Sequence, residues 1–190
     1  YVNFTGNNTI YGTERPAETE VGNVLLVGDL SSNIFSKPID VSKYGLIYAG
    51  AQKNLGAAGV TLVLLRDDLL TRSPDTLPAM LNYNTHSKGH SAYNTPPVFS
   101  IYILGLVVKW LLDQGGLEKM AAQNGDKAKL LYDQLEASEF YRGHALQGNR
   151  SRMNVTFNLP NPELEAQFAT EATVEGLVEL KGHRSVGGIR

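Results

Sequence analysis

Lys53 stands in Ala49-Gly-Ala-Gln-Lys-Asn, directly after the apolar run Tyr44 to Ala49. A run with no polar alternation suits a parallel strand buried on both faces. The carboxyl end of such a strand is where open α/β sheets keep their ligands. A lysine desolvated there has a lowered pKa and presents the neutral amine that Schiff-base chemistry requires. The alternative is a surface lysine in a turn, and on spacing alone that is the commoner case.

Asp29 closes a second apolar run, Asn23 to Asp29 (NVLLVGD). A lone carboxylate at such a position is costly unless paired. A pyridinium nitrogen is a suitable partner, because a carboxylate beside it keeps the ring protonated and able to draw electrons from a carbanion. Asp29 could equally cap the turn that Ser31, Ser32 and Asn33 invite. Two such residues, on separate strands and 24 positions apart, are harder to ascribe to chance than either alone.

A third group lies at the far end. His183, Arg184 and Arg190 surround the glycine pair Gly187-Gly188. Guanidinium groups offer planar paired donors to carboxylate or phosphate. Taken alone, His183 reads as structural and the arginines as surface charges. Arg150 and Arg152 read as structural or interface charges. His86, His90 and His144 have no metal-site spacing and receive no role. The chain has no cysteine, which excludes disulfides and thiolate chemistry and is compatible with the cytosol. Net charge is −2 with no basic block, so charge gives no argument for nucleic acid or an anionic membrane.

Three buried strands must position these groups: Asn23 to Asp29, Tyr44 to Ala49 and Val60 to Leu65, the last two joined tightly through Gly56 and Gly59. Arg66 to Pro78 reads as loop with a short helical turn, and Leu81 to Pro97 as an ordered loop. Thr95-Pro96-Pro97 opens a helix, with Thr95 as N-cap and Pro in the first position, running to Asp113. Its apolar stretch Val98 to Leu112 is too short to span a bilayer comfortably and reads as a buried helix.

A second helix from Leu117 to Ala137 sets Leu117, Met120, Ala121, Ala128, Leu131 and Leu135 near one face, with Gly125 inside it. Arg152 to Leu159 alternates as an antiparallel strand; a helix at Pro162 to Gly176 and a strand at Leu177 to Leu180 follow. The pattern implies an α/β fold with a smaller C-terminal α+β portion. The division falls in the polar segment Arg142 to Arg150, giving residues 1–142 and 143–190.

Six motifs together carry a resemblance. They are Asp29-Leu-Ser-Ser-Asn, Lys37-Pro-Ile-Asp-Val-Ser-Lys-Tyr-Gly, Tyr48-Ala-Gly-Ala-Gln-Lys-Asn, Tyr93-Asn-Thr-Pro-Pro, Arg150-Ser-Arg-Met-Asn-Val and Lys181-Gly-His-Arg-Ser-Val-Gly-Gly-Ile-Arg. In order and spacing the chain resembles the phosphoserine aminotransferase family of class V pyridoxal-phosphate-dependent enzymes.

The resemblance implies a type I aminotransferase fold, a mostly parallel sheet domain plus a smaller one, and a cytoplasmic homodimer. It implies pyridoxal 5'-phosphate as cofactor, and transamination between phosphoserine/3-phosphohydroxypyruvate and glutamate/2-oxoglutarate in serine biosynthesis. Lys53 then binds the cofactor covalently and moves a proton between substrate and cofactor carbons, while Asp29 pairs with the ring nitrogen. Gln52 and Thr9 resemble contacts to the cofactor phosphate and phenolic oxygen. Asn94 and Thr95 resemble the pair that reaches the cofactor phosphate of the other subunit. Arg190 resembles the α-carboxylate clamp, with His183 and Arg184 the site for the second anion. No metal, nucleic acid or membrane is implied.

The chain departs from the family at Ala57, where Pro is usual, and at Asn8, where an acidic residue is common; both are expected to have small effects. Its ends read as those of a piece of a longer polypeptide. Other expectations in play are a class V enzyme using serine or alanine with glyoxylate, and a silent fragment acting as a dimerising scaffold.

Overall fold

A computed structural model describes residues 1–190. The strands are β1 (Val2–Thr5), β2 (Asn7–Asn8), β3 (Thr13–Glu14), β4 (Leu26–Asp29), β5 (Leu46–Gly50), β6 (Thr61–Leu65), β7 (Arg142–Gly143) and β8 (Phe157–Asn158). The helices are α1 (Tyr83–Lys88), α2 (Val98–Asp113), α3 (Gly116–Glu136) and α4 (Pro162–Val174). β1, β4, β5 and β6 form the main sheet in that order, while β2–β3 and β7–β8 are separate pairs.

β1, β4 and β5 run parallel, with Thr5 opposite Asp29 and Asp29 opposite Tyr48. Their inward side chains, Leu26, Ile47 and Ala49, join Leu30, Ile34, Tyr44, Ala51 and Leu55 in the buried core. Full burial of a Leu or Ile contributes about 1.5–3 kcal/mol, so this cluster is what fixes the sheet.

β6 corrects the expectation of a third parallel strand. It runs antiparallel to β5, with Gly50 opposite Thr61, and Val63 and Leu64 are exposed. Only residues 51 to 60 join the two strands, and a parallel crossover needs a dozen residues or more. The tight connection itself is as expected: Gly56 and Gly59 take φ of 143° and 102°, values that favour glycine.

α2 begins at Val98 with Pro97 in the capping position and no side-chain cap, so Thr95 is not the N-cap. Thr95 and Pro96 each precede a proline, which biases both away from helical geometry. α2 is also not the buried helix its composition suggested. Ile103, Leu104 and Val107 cover Gly56, but Phe99 and Leu112 are 72% and 70% exposed and only Leu111 is buried. α1 occupies part of the segment expected to be loop, started by Asn82, whose side chain accepts from the Asn84 N–H. A 3₁₀ helix at Asp67–Arg72 is the expected short turn.

α3 is continuous through Gly125 and buries Met120, Asn124 and Ala128, four residues apart on one stripe. Leu131 lies on the same face but is 52% exposed, so burial stops short of it. Asn124, a polar residue in the buried stripe, is satisfied there because its amide donates to the Ser36 carbonyl at 3.1 Å. No single helix is long and apolar enough to cross a membrane.

The C-terminal strands are shorter than expected. Arg152 to Thr156 form none, because Ser151 Oγ accepts from the N–H groups of Met153 and Asn154 and holds the backbone in a turn. Leu177 to Leu180 form none either, and Lys181 makes an isolated bridge to Ile189. Tyr141, Phe157 and Phe168 pack edge to face into a second small core.

Candidate active site

The three parallel strands deliver the candidate residues at one edge. Thr5 ends β1, and the chain reaches Thr9 four residues later; Asp29 ends β4; Lys53 lies three residues beyond the end of β5. Gly6 N–H donates to the Asp29 carbonyl at 2.9 Å, binding the first of these ends to the second. A hydrogen-bond chain binds the second to the third: Gly50 N–H donates to Ser31 Oγ at 3.0 Å, and Ser31 Oγ donates to Asp29 Oδ1 at 2.6 Å.

Asp29 is therefore the cap of its turn, with Oδ1 also accepting the Ser31 N–H at 3.0 Å. Its other oxygen, Oδ2, accepts no hydrogen bond from the protein. The capping reading is the one observed, and it leaves the second oxygen available.

Lys53 Nζ donates to Thr9 Oγ1 at 2.9 Å. The lysine is exposed, which corrects the expectation of a desolvated amine; the strand end opens to solvent in this chain. No carboxylate pairs with it. Gln52 is exposed too, with its amide folded over Gly50, where a Cβ would stand 2.6 Å from Gln52 Oε1. Asn54 pins the following turn by donating to the Ile34 carbonyl at 2.6 Å. Asn8 folds the loop that carries Thr9: its Oδ1 accepts from the N–H groups of Ile10 and Tyr11.

Asn94 and Thr95 are not brought to this cluster. Both are exposed ahead of α2; Asn94 donates to Met80 Sδ at 3.1 Å, and neither bonds to Thr9, Asp29, Gln52 or Lys53. His183, Arg184 and Arg190 lie on the loop after α4. His183 Nδ1 meets Ser185 Oγ at 2.7 Å, and its carbonyl accepts from Val186 and Gly187. The Arg184 and Arg190 side chains are exposed without ion pairs. Arg190 lines a cleft of about 220 Å³ with Ile10, Tyr11 and Thr156, so the chain's last residue faces the loop that carries Thr9.

Glu165 organises that loop, and the sequence reading missed it. Its carboxylate accepts from Asn158 Nδ2 at 2.9 Å, the Leu159 N–H at 3.3 Å and the Gly188 N–H at 2.9 Å. The Asn158 bond, with the two backbone donors, holds its pKa below the usual carboxylate value. Only the Pro-Glu-Leu-Glu start of α4 marked it, as first-turn acid. Arg150 is structural, as expected: it pairs with Glu136 at 2.5 Å and lies 4.7 Å from the Tyr132 ring centroid. His144, given no role, stacks on Tyr11 at 4.9 Å in the same cleft as Arg190.

A carboxylate, an amine and hydroxyls at the carboxyl ends of parallel strands are the arrangement expected of an open α/β sheet that binds a ligand there. The family described as aminotransferase class-V matches residues 1–187. The chain belongs to the class-V aminotransferase family. It is 55% identical to the phosphoserine aminotransferase of Herpetosiphon aurantiacus, covering 100% of this chain and 53% of that protein. The phosphoserine aminotransferase structure from Bacillus circulans subsp. alkalophilus superposes with a TM-score of 0.97 at 50% identity, over 100% of this chain and 53% of that one. The PLP-bound phosphoserine aminotransferase structure from Trichomonas vaginalis gives 0.94 at 37% identity, over 100% of this chain and 54% of that one. The chain thus spans about half the length of the relatives it matches, and it has the α/β type I fold of these enzymes.

Proposed function

We propose that the polypeptide containing this chain is a pyridoxal-phosphate-dependent aminotransferase that interconverts phosphoserine and 3-phosphohydroxypyruvate with glutamate and 2-oxoglutarate, in serine biosynthesis. The observation that carries the reading is the convergence of Thr9, Asp29 and Lys53 on the ends of three adjacent parallel strands. The similarity to phosphoserine aminotransferases supports the choice of substrate.

The residues fit the cofactor. Asp29 Oδ2, free of protein donors, is placed to accept from a protonated ring nitrogen. Lys53 Nζ, engaged only by a hydroxyl, is free to attack a carbonyl carbon. Bound there, pyridoxal phosphate supplies a carbonyl for the amine and a ring that takes up electrons from the substrate. Displaced from the cofactor by the incoming substrate amine, Lys53 would carry a proton from the substrate Cα to the neighbouring cofactor carbon. Thr9 Oγ1 keeps the amine oriented between those two positions. Gln52 contributes a polar contact to the cofactor phosphate, and Asn94 and Thr95 do so toward the site of a second subunit in a homodimer.

Arg190 clamps the α-carboxylate, and His183 with Arg184 takes the phosphate or the second carboxylate. The same reading gives residues 1–142 to the large domain and 143–190 to the small one, and places the enzyme in the cytoplasm.

Borohydride reduction of the full-length, cofactor-loaded protein followed by peptide mapping is expected to place the pyridoxyl group on Lys53. Label on Lys37 or Lys43 would sink the assignment. Phosphoserine is expected to be a far better amino donor than serine, and the reverse preference would point to a related class V enzyme.

A further inference from the structure

Beneath the strand ends lies a buried polar cluster that the chemistry above does not use. Asn7 is 2% and Ser151 0% exposed. Asn7 Nδ2 donates to Ser32 Oγ at 2.8 Å and to Asn154 Oδ1 at 2.9 Å. Asn7 Oδ1 accepts from Ser151 Oγ, and the Asn7 carbonyl accepts from Ser32 Oγ at 2.7 Å. One carboxamide thus joins three segments: the loop that leads to Thr9, the turn after Asp29, and residues 151–154.

The chemistry of the position explains the residue. It needs one acceptor and two donors in a single uncharged planar group, and an amide supplies these without the cost of burying a charge. Little slack separates Asn7 from the site. Thr9 is two residues along, in a loop closed by Asn8 Oδ1 on one side and by the bond from Thr156 Oγ1 to the Tyr11 carbonyl, at 3.0 Å, on the other. Ser32 follows Ser31, whose hydroxyl orients Asp29. Removal of the amide leaves the buried Ser151 hydroxyl without an acceptor and the half-buried Asn154 Oδ1 without a donor. Such groups are costly, so the segments must move to find new partners.

We propose that Asn7 is a positioning residue: it sets the Thr9 hydroxyl against the Lys53 amine and ties the Asp29 turn to residues 151–154. This rests on the reading of Lys53 and Asp29 given above. It adds that the placement of the small C-terminal portion is transmitted to the reacting amine through one buried side chain.

The test uses the full-length protein loaded with pyridoxal phosphate. It compares wild type, Asn7→Ala, Thr9→Val and the double variant. Two quantities are read: the pH midpoint of the change in visible absorption of the bound cofactor, and the melting temperature. Asn7→Ala is expected to move the midpoint by about half a pH unit or more, as displacement of a hydroxyl beside the cofactor-bound Lys53 nitrogen should. In the double variant the midpoint should stand where Thr9→Val alone puts it, because the two residues act through one contact.

An unmoved midpoint, with or without a lower melting temperature, overturns the proposal and makes Asn7 a folding residue only. Fully additive shifts overturn it as well. If Asn7→Ala does not fold, Ser151→Ala carries the same comparison, since it keeps the two Asn7 donors and removes one partner. Wild-type protein without visible cofactor absorption would instead remove the catalytic reading, and this inference with it.

Discussion

At Asp29 the two carboxylate oxygens have separate duties. Oδ1 is committed to Ser31, and Oδ2 is the oxygen that the proposed function gives to the ring nitrogen. Asp29→Asn keeps a carbonyl oxygen for the Ser31 N–H and hydroxyl, so the turn should survive. What it loses is the charge that, in the proposed function, keeps the ring protonated. The variant is therefore expected to bind cofactor and fold normally, yet lose about 3 kcal/mol of transition-state stabilisation, a drop in kcat of roughly a hundredfold or more. Single-turnover mixing with phosphoserine measures this, and turnover near that of wild type would contradict the role. The capping role of Asp29 was legible in the sequence, because an acid at a strand end shortly before Ser-Ser-Asn invites a turn. Asn7 was not legible. Its partners lie 25, 144 and 147 residues away, and nothing local marks a residue whose function is to bridge three distant segments.

At the scale of elements, α4 is coupled to the His183–Arg190 loop through Glu165, and that coupling depends on pH. Its three donors favour the charged form, so its folded pKa is lower than its unfolded one. Stability from this source is fully present above the ordinary glutamate value, about 4.3, and is lost as pH falls through the folded pKa. Glu165→Gln removes the charge at every pH. The melting temperature of wild type should therefore exceed that of Glu165→Gln near neutrality, with the gap closing below about pH 4. A gap that is constant down to pH 3 would show that shape rather than charge joins α4 to the loop.

β4, β5, α2 and α3 were readable because apolar runs and helix stops are local signals. The direction of β6 was misread even though its cause, the short glycine-bearing connection, was visible. Apolar runs do not reveal strand direction; the length of the connection does. The strand expected over Arg152 to Leu159 failed for a different reason: Ser151 offers its hydroxyl to two backbone N–H groups, and a side chain that bonds locally outcompetes the ladder.

At the scale of the whole molecule, the separation of Asn94 and Thr95 from Lys53 within one chain makes a prediction about two chains. If each site combines Lys53 of one subunit with Asn94 and Thr95 of the other, Lys53→Ala and Thr95→Ala variants should complement each other. Each homodimer is defective at both sites, whereas a mixed dimer has one intact site and one doubly defective site. Equal mixing after dissociation should restore about a quarter of the wild-type activity, as expected for a two-fold symmetric pair. No recovery, with mixed dimers demonstrated by mass spectrometry, would place all three residues in one subunit's site. The reversal of β6 has a further consequence, for the order of folding. Across β5–β6 the nearest paired residues, Gly50 and Thr61, are 11 positions apart, whereas the β1–β4 pairs are 24 apart and the β4–β5 pairs 19. Closing a shorter loop costs less chain entropy, and local pairings form faster than remote ones. Lys53 lies inside that shortest loop. The amine is thus carried by the most local pairing in the sheet, while Asp29 and Thr9 depend on contacts that the chain must make across a greater distance.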